Sequence, residues 1–179
     1  HIDRGSVVFA GIDYKAILDK AEKEADIILW DGGNNDMPFY KPDLFLVVVD
    51  PHRPGHELLF YPGESNLLMA DVVVINKMDT AEPENIATVK ANIASVNPSS
   101  TIIEAASPVT VEKPDVIKGK RCLVVEDGPT LTHGGMKFGA GIVAAEKFGA
   151  TEVVDPRPWI TGTIAETFES YPDIGKLLP

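Results

Sequence analysis

The chain has 179 residues, 44% of them hydrophobic, and a formal net charge of −11. This length can bury one substantial core or two unequal lobes. The acidic balance argues against nucleic-acid binding, which needs a basic face. No apolar stretch approaches the ~20 residues that would span a membrane, and the single Cys122 allows neither a disulfide nor a cysteine-based metal site within one chain. No leader-like segment is recognisable, so we expect a cytoplasmic protein.

Apolar runs rich in Val and Ile recur along the chain, and each ends in a polar or glycine-rich cluster. Continuous runs of this kind predict strands that are buried on both faces of a parallel sheet. Helical periodicity lies between them, with Pro83 in a first turn and Gly149 as a C-cap. The predicted strands are 7–10, 26–30, 44–49, 71–75, 101–104, 121–125 and 151–154, and the predicted helices are 13–25, 82–96 and 139–149.

The polar, proline-containing segment 110–115 predicts a boundary in this organisation. We expect an α/β core over residues 1–111, and residues 112–179 as either a continuation of that core or a small C-terminal lobe. Parallel strands end at one edge of their sheet, and ligands bind along that edge. The polar clusters are therefore expected to lie on one side of the molecule.

The sequence Asn76-Lys77-Met78-Asp79 directly follows one of the apolar runs. P-loop GTPases read guanine with this pattern: the Asp carboxylate accepts two hydrogen bonds from the base, the Lys stem lies over the ring, and the Asn braces nearby loops. A site of this kind discriminates strongly, because the wrong base leaves buried polar groups unpaired. The alternative is a solvated turn after a strand.

A small-residue segment follows the next predicted strand, at Ala105, Ala106 and Ser107. Such a segment lets backbone N–H groups approach the base, although a compact turn would need the same residues. Together with the preceding motif it predicts a nucleotide site on a P-loop NTPase-like, three-layer α/β fold with a mostly parallel sheet and flanking helices.

A second cluster follows the predicted strand 26–30. Asp31 is a candidate ligand of Mg²⁺, a cation that takes few carboxylates together with waters and substrate phosphates. Candidate phosphate contacts are Gly32, Gly33, Asn34 and Asn35. The alternative is that these residues only form a turn or cap a helix.

The sequence contains no Gly-x-x-x-x-Gly-Lys-Ser/Thr, so it lacks a phosphate-cradling loop of that type. In P-loop proteins this loop precedes the elements described above. We expect the loop in a region upstream of His1, and we expect this chain to be inactive by itself.

The segment 50–56 is the densest cationic loop of this acidic chain. Arg53 can bind phosphate or carboxylate with two hydrogen bonds, and His52 and His56 can donate to phosphate or carry protons. The alternative is an ordinary solvent-exposed loop, which pairing of Arg53 with Asp50 or Glu57 would favour.

The segment 126–136 combines carboxylates, hydroxyls, a histidine and paired glycines just before a predicted helix. Thr130 and Thr132 are candidate donors to an anionic substrate. The candidate proton acceptors are Asp127, His133 and His56. The alternative is a long mobile loop. Segments 50–56 and 126–135 are predicted to form the acceptor side of the site.

Five motifs together resemble the cyclic 2,3-diphosphoglycerate synthetase family of P-loop proteins: WDGGNND at 30–36, DPHRPGH at 50–56, NKMD at 76–79, AASPV at 105–109 and EDGPTLTHGG at 126–135. The resemblance covers nearly the whole chain. It implies a ligase-type, nucleotide-dependent transfer of a phosphoryl group to a phosphorylated small acid, with Mg²⁺.

The nucleotide stays open between ATP, which the family name implies, and GTP, which NKMD indicates. A GTPase switch or metallochaperone-type GTPase, and a non-catalytic nucleotide-binding module, also stay open. The expected partners are the nucleotide, the small acid and the upstream P-loop region of the same protein, without nucleic acid or membrane. A homodimer stays open as well.

Overall fold

The structure is a computed structural model. It describes residues 2–32, 36–132 and 136–179, with no account of the side chains of residues 129 and 130. The chain divides into two compact units, residues 1–106 and 107–179, which are described separately below.

The first unit contains a three-stranded sheet with the order β1-β2-β3. Both strand pairs are parallel, and Val73 stands opposite Val47 on one side and Ile102 on the other. The strands are β1 (Leu46–Val49), β2 (Val72–Ile75) and β3 (Thr101–Glu104), and the helices are α1 (Tyr14–Ala21), α2 (Gly63–Met69) and α3 (Pro83–Val96), with short 3-10 helices at Ile2–Arg4 and His56–Leu58. Parallel strands with flanking helices confirm the predicted α/β fold class.

Local sequence explains where these helices begin. The Asp13 carboxylate accepts a hydrogen bond from the Ala16 N–H at 3.0 Å and so caps α1. Pro83 occupies the first turn of α3, where a missing N–H costs nothing. Val89 and Ile93, on the predicted apolar stripe of α3, are fully buried.

The core of the first unit lies between the sheet and helices α2 and α3. Its fully buried side chains are Leu67, Val73, Ile75, Val89 and Ile93. The prediction that the strands are buried on both faces was wrong for β3, whose four residues are all exposed, and for β1, whose Leu46 and Val48 are exposed. Both are edge strands of this sheet, whereas the central strand β2 contributes the buried Val73 and Ile75.

Two predicted strands of the first unit are absent from the described residues. Residues 7–10 and 26–30 have no strand pairing, and Ile27 and Leu29 are 80% and 84% exposed. A strand needs a neighbour for its backbone hydrogen bonds. Both segments are apolar as predicted, but an apolar pattern does not show whether another strand lies beside the segment.

The second unit has a small parallel sheet in which β4 (Arg121–Cys122) pairs with β5 (Glu152–Val153). An isolated parallel bridge joins Val125 and Leu178. The predicted strands 121–125 and 151–154 are thus present but shorter. The helices are α4 (Gly128–Thr132), α5 (Ala140–Lys147) and α6 (Thr163–Ser170), with 3-10 helices at Pro114–Val116 and Arg157–Trp159. The core side chains are Val124, Leu131, Ala145, Phe168, Ile174 and Leu177.

Across the described ranges of both units, no helix has the length and apolarity that crossing a bilayer would require.

Candidate functional site

The three parallel strands of the first unit end in loops that bond to one another. The Asn76 N–H donates to the Val49 carbonyl at 3.1 Å, and the Ala105 N–H donates to the Ile75 carbonyl at 2.9 Å. The Met78 N–H then donates to the Ala105 carbonyl at 3.1 Å. The NKMD motif and the small-residue segment therefore meet at the carboxyl edge of the sheet, where α/β proteins bind ligands.

Asp50 lies at the centre of this edge, immediately after β1. Its Oδ2 accepts from Lys77 Nζ at 2.7 Å and from Arg53 Nη2 at 3.2 Å, and its Oδ1 accepts from the His52 N–H at 3.0 Å. Burial raises the pKa of Asp50, but the hydrogen bonds from Lys77 and His52 and the charges of Lys77 and Arg53 outweigh it, so the pKa is lowered overall. Asp50 is therefore an ionised carboxylate that holds two loops together.

Lys77 reaches Asp50 from an unusual backbone conformation. Its φ is +55°, in the left-handed region that residues other than Gly, Asn and Asp rarely adopt. The ion pair with Asp50 contributes to holding it there. Sequence reasoning assigned Lys77 to the nucleotide base, but in this structure its ammonium group binds a carboxylate of the neighbouring loop.

The cationic loop after β1 is also bonded internally. Arg53 pairs with Asp50, and the Arg53 side chain is 35% exposed. This pairing favours a structural role for Arg53 over a clamp on the substrate. His52 contributes to the same connection, since its Nε2 lies 2.9 Å from Thr80 Oγ1, just beyond the NKMD motif.

Glu57 anchors the far end of this loop, whereas sequence reasoning considered it only as a possible partner of Arg53. The buried Glu57 carboxylate accepts from the Gly55 N–H at 2.9 Å and from Asn92 Nδ2, on α3, at 2.6 Å. Gly55 has φ +94°, which favours glycine. His56 is exposed beside this anchor, with its ring 5.1 Å from that of Phe60. A single carboxylate in the short 3-10 helix that follows the loop gave no spacing signal from which its partner Asn92 could be inferred.

Asp31 and Gly32 line the same open trough as Asp50, Arg53 and His56. Gly32 has a structural reason to be glycine, because a Cβ there would lie 2.5 Å from the Trp30 ring. The predicted contacts Gly33, Asn34 and Asn35 lie outside the described residues.

The Asp31 carboxylate is exposed, and one carboxylate together with waters and phosphate oxygens is a donor set that Mg²⁺ takes, so its role as a metal ligand stays a prediction. Such an ion would neutralise phosphate charge. Among the described residues, no group of three His, Cys, Asp or Glu side chains converges as a ready-made metal cage.

Asp79 is exposed in the turn after β2, as a base-reading carboxylate would have to be. Ala105 and Ala106 close the first unit, and Ser107 opens the second. The assignment of Asn76, Lys77, Asp79, Ala105, Ala106 and Ser107 to a nucleotide stays a prediction.

In the second unit, Glu126 performs a structural role that sequence reasoning did not anticipate. Its Oε1 accepts from the Gly139 and Ile142 N–H groups at 3.0 and 2.9 Å. N–H groups at the beginning of a helix have no partner within the helix, and Glu126 supplies one at the beginning of α5. A Cβ on Gly139 would lie 2.5 Å from the Glu126 carboxylate, so the glycine permits this approach.

The candidate catalytic and substrate residues of this segment are only partly described. Asp127 is exposed, and Thr132 Oγ1 donates to the Gly128 carbonyl at 3.0 Å within α4. His133 and the side chain of Thr130 lie outside the described residues. The prediction that this segment joins residues 50–56 in an acceptor site stays a prediction.

The parallel α/β architecture, with its loops joined at the carboxyl edge, places the first unit in the class of nucleotide-binding α/β domains. Residues 4–106 match the family described as "Cyclic 2,3-diphosphoglycerate synthetase, P-loop domain". The chain belongs to this family.

Three curated relatives are similar to parts or all of the chain. "Arginine synthetase ArcE" of Thermococcus kodakarensis is 65% identical over 179 residues, which are 100% of this chain and 40% of the relative. "Cyclic 2,3-diphosphoglycerate synthetase" of Thermococcus sibiricus is 31% identical over 111 residues, 61% of this chain and 25% of the relative. A second "Cyclic 2,3-diphosphoglycerate synthetase", from Thermococcus kodakarensis, is 22% identical over 98 residues, which are 52% of this chain and 23% of the relative. The chain thus spans well under half the length of these relatives.

Proposed function

We propose that the intact protein is a nucleotide-dependent synthetase whose product is arginine. The observation that supports a nucleotide site is the joined carboxyl edge of the first unit, where Met78 bonds to Ala105 and Lys77 bonds to Asp50. The proposed product follows the relative that is 65% identical along the entire chain. The relative named cyclic 2,3-diphosphoglycerate synthetase from Thermococcus sibiricus is less similar, at 31% identity over 61% of this chain.

The chemistry of the product indicates what the nucleotide would do. Arginine carries three nitrogens on one carbon, and a ureido precursor carries two nitrogens and an oxygen. Transfer of the terminal phosphoryl group to that oxygen would make it a leaving group, and ammonia would then displace phosphate. Catalysis of such a transfer is mostly positioning and charge stabilisation of the phosphates.

The residues of this chain would contribute to positioning. Asp50 holds the loops after β1 and β2 together through Lys77, and Glu57 anchors the first of them to α3. Asp31 would carry Mg²⁺ in the trough that it lines together with Asp50 and Arg53. Asp79 would read the base, and we retain guanine as its preference.

The test supplies the intact protein with Mg²⁺, ammonium, the ureido amino acid citrulline, and either ATP or GTP. Arginine formation is followed by mass spectrometry, and nucleotide cleavage by ³¹P NMR. We expect arginine and orthophosphate in equal amounts, and only when all components are present.

A second candidate is synthesis of a cyclic diphosphate from a phosphorylated small acid, which the family description favours. The same assay with 2-phosphoglycerate or 2,3-diphosphoglycerate in place of citrulline and ammonium separates the two, because a cyclic product has its own ³¹P signals. Nucleotide hydrolysis without either product would instead indicate a GTPase switch. Nucleotide binding without hydrolysis would indicate a binding module.

A further inference from the structure

Four residues at the carboxyl edge of the first unit form a closed ring of hydrogen bonds. The Asp50 carboxylate accepts from the His52 N–H at 3.0 Å and from Lys77 Nζ at 2.7 Å. The Thr80 hydroxyl donates to the Lys77 carbonyl at 3.3 Å, and His52 Nε2 lies 2.9 Å from the oxygen of that hydroxyl. The ring therefore joins the loop after β1 to the turn after β2 at two points, Lys77 and Thr80.

The ring defines the hydrogen-bonding role of His52. A hydroxyl group has one proton to donate, and the proton of Thr80 is directed to the Lys77 carbonyl. In its contact with His52, the Thr80 oxygen is therefore the acceptor, and His52 Nε2 is the donor. The imidazole of His52 thus holds the turn after β2, while the main chain of His52 is held by Asp50.

The turn that the ring holds is the one that carries Asp79. The Thr80 N–H donates to the Lys77 carbonyl at 3.1 Å and closes the turn over Met78 and Asp79. Asp79 is exposed, whereas the residues at both ends of its turn are bonded to the neighbouring loop. A carboxylate that reads a base needs such support, because a misplacement of about 1 Å is enough to forfeit a directional interaction.

His52 differs from the other polar residues of its loop. Asp50, Arg53 and His56 line the trough, whereas the half-buried His52 does not line it and bonds to Thr80 instead. The Nε2 donor that is committed to Thr80 is not available to a phosphate. The contact therefore favours a role of His52 within the protein over the predicted phosphate contact.

We propose that His52 is a positioning residue for nucleotide selection, because its bond to Thr80 fixes the turn that presents Asp79 to the base of a purine nucleoside triphosphate. Discrimination between guanine and adenine would then depend on His52, although His52 does not touch the nucleotide. The inference rests on the proposed function in one respect, which is the assignment of Asp79 to the base.

The test measures, by calorimetry, how the intact protein binds the Mg²⁺ complexes of GTP, ATP and inorganic triphosphate, which has no base. The base preference is the ratio of the dissociation constants for GTP and ATP, whichever nucleotide the wild type favours. His52→Asn is too short to place a donor where Nε2 lies, so it should reduce this preference about tenfold, as expected for one hydrogen bond. Its affinity for inorganic triphosphate should not change. His52→Gln, whose amide reaches the position of Nε2, is the matched variant and should keep the preference.

Thr80→Val removes the other partner and completes a double-mutant cycle. It should reduce the base preference at least as much as His52→Asn does. The double variant should lose no more than Thr80→Val alone, because the bond between the two side chains is already absent. Thermal unfolding and the retained affinity for inorganic triphosphate show that each variant is folded.

Three results would overturn the proposal. A wild-type protein that binds GTP and ATP equally would show that Asp79 does not select a base. An unchanged preference in both His52→Asn and Thr80→Val would show that the ring does not position Asp79. A loss of triphosphate affinity in His52→Asn, at unchanged base preference, would make His52 a phosphate contact. Arginine formation is assayed separately, so a protein that selects its nucleotide through this ring but makes no arginine would refute the proposed function alone.

Discussion

The ammonium group of Lys77 lies 2.7 Å from Oδ2 of Asp50 and thereby joins the loops that follow β2 and β1. The two residues are 27 positions apart in sequence and come together because their strands are parallel neighbours. A residue of the NKMD motif thus secures the cationic loop of the adjacent strand.

Removing this ion pair should destabilise the first unit. For Lys77→Met we expect a loss of roughly 1 kcal/mol in the free energy of unfolding, because the pair is partly exposed and screened. Lys77→Gly should lose less, since glycine relieves the left-handed conformation at this position. Chemical denaturation of the intact protein measures both. Lys90→Met, which removes the more exposed pair with Glu104, is the control and should have a smaller effect than Lys77→Met.

Asp50 should make stability depend on acid pH. Its pKa lies below the ordinary value of 3.8 in the folded state, so its stabilising contribution is complete above 3.8 and is lost as the pH falls below that value through the folded pKa. Asp50→Asn should therefore flatten the decline in unfolding free energy across this window. Asp115→Asn, an exposed site with the same change in charge, is the control. Equal acid profiles for wild type and Asp50→Asn would contradict the prediction.

The nucleotide assignment predicts a change of base preference. Replacing Asp79 by Asn exchanges an acceptor for a mixed donor and acceptor, which should weaken binding of GTP by ~1.5–3 kcal/mol and favour XTP. Calorimetry of the intact protein with GTP, ATP and XTP makes the comparison. Tighter binding of ATP than of GTP by the wild type would show that this motif does not select guanine.

The 179-residue chain by itself should not hydrolyse nucleotide. Its sequence contains no Gly-x-x-x-x-Gly-Lys-Ser/Thr loop, and phosphoryl transfer depends on holding the phosphates in position. Phosphate release by the purified chain, compared with the intact protein under the same conditions, measures this. Turnover that survives purification of the chain to homogeneity would contradict the expectation.

The contact between Gly139 and Glu126 predicts a stability effect in the second unit. A methyl group on Gly139 would lie 2.5 Å from the carboxylate that caps α5, so Gly139→Ala should displace it and cost about 1–2 kcal/mol. Thermal unfolding provides the measurement. Gly63→Ala is the control, because the nearest atom to a Cβ there is 3.9 Å away and its backbone is helical. A Gly139→Ala variant as stable as Gly63→Ala would show that Glu126 repositions freely.

The sequence by itself determined the fold class and the three helices that it predicted. The apolar stripe of α3, Pro83 at its beginning and the Val-rich runs of β1 and β2 are local patterns, and local patterns suffice to specify such elements. The motif NKMD likewise predicted the position of the carboxyl edge of the sheet, because a polar cluster that follows an apolar run is recognisable from the sequence alone.

Only the tertiary structure decided which side chains meet. Asp50 was visible as a strand-terminal aspartate, but its bond to Lys77 depends on the parallel register of β1 and β2. The bond from Asn92 to Glu57 depends on where α3 packs. Residues 26–30 carry the pattern of a strand and are not one here, because hydropathy describes a segment, whereas a strand exists only beside a neighbour that accepts and donates its backbone hydrogen bonds.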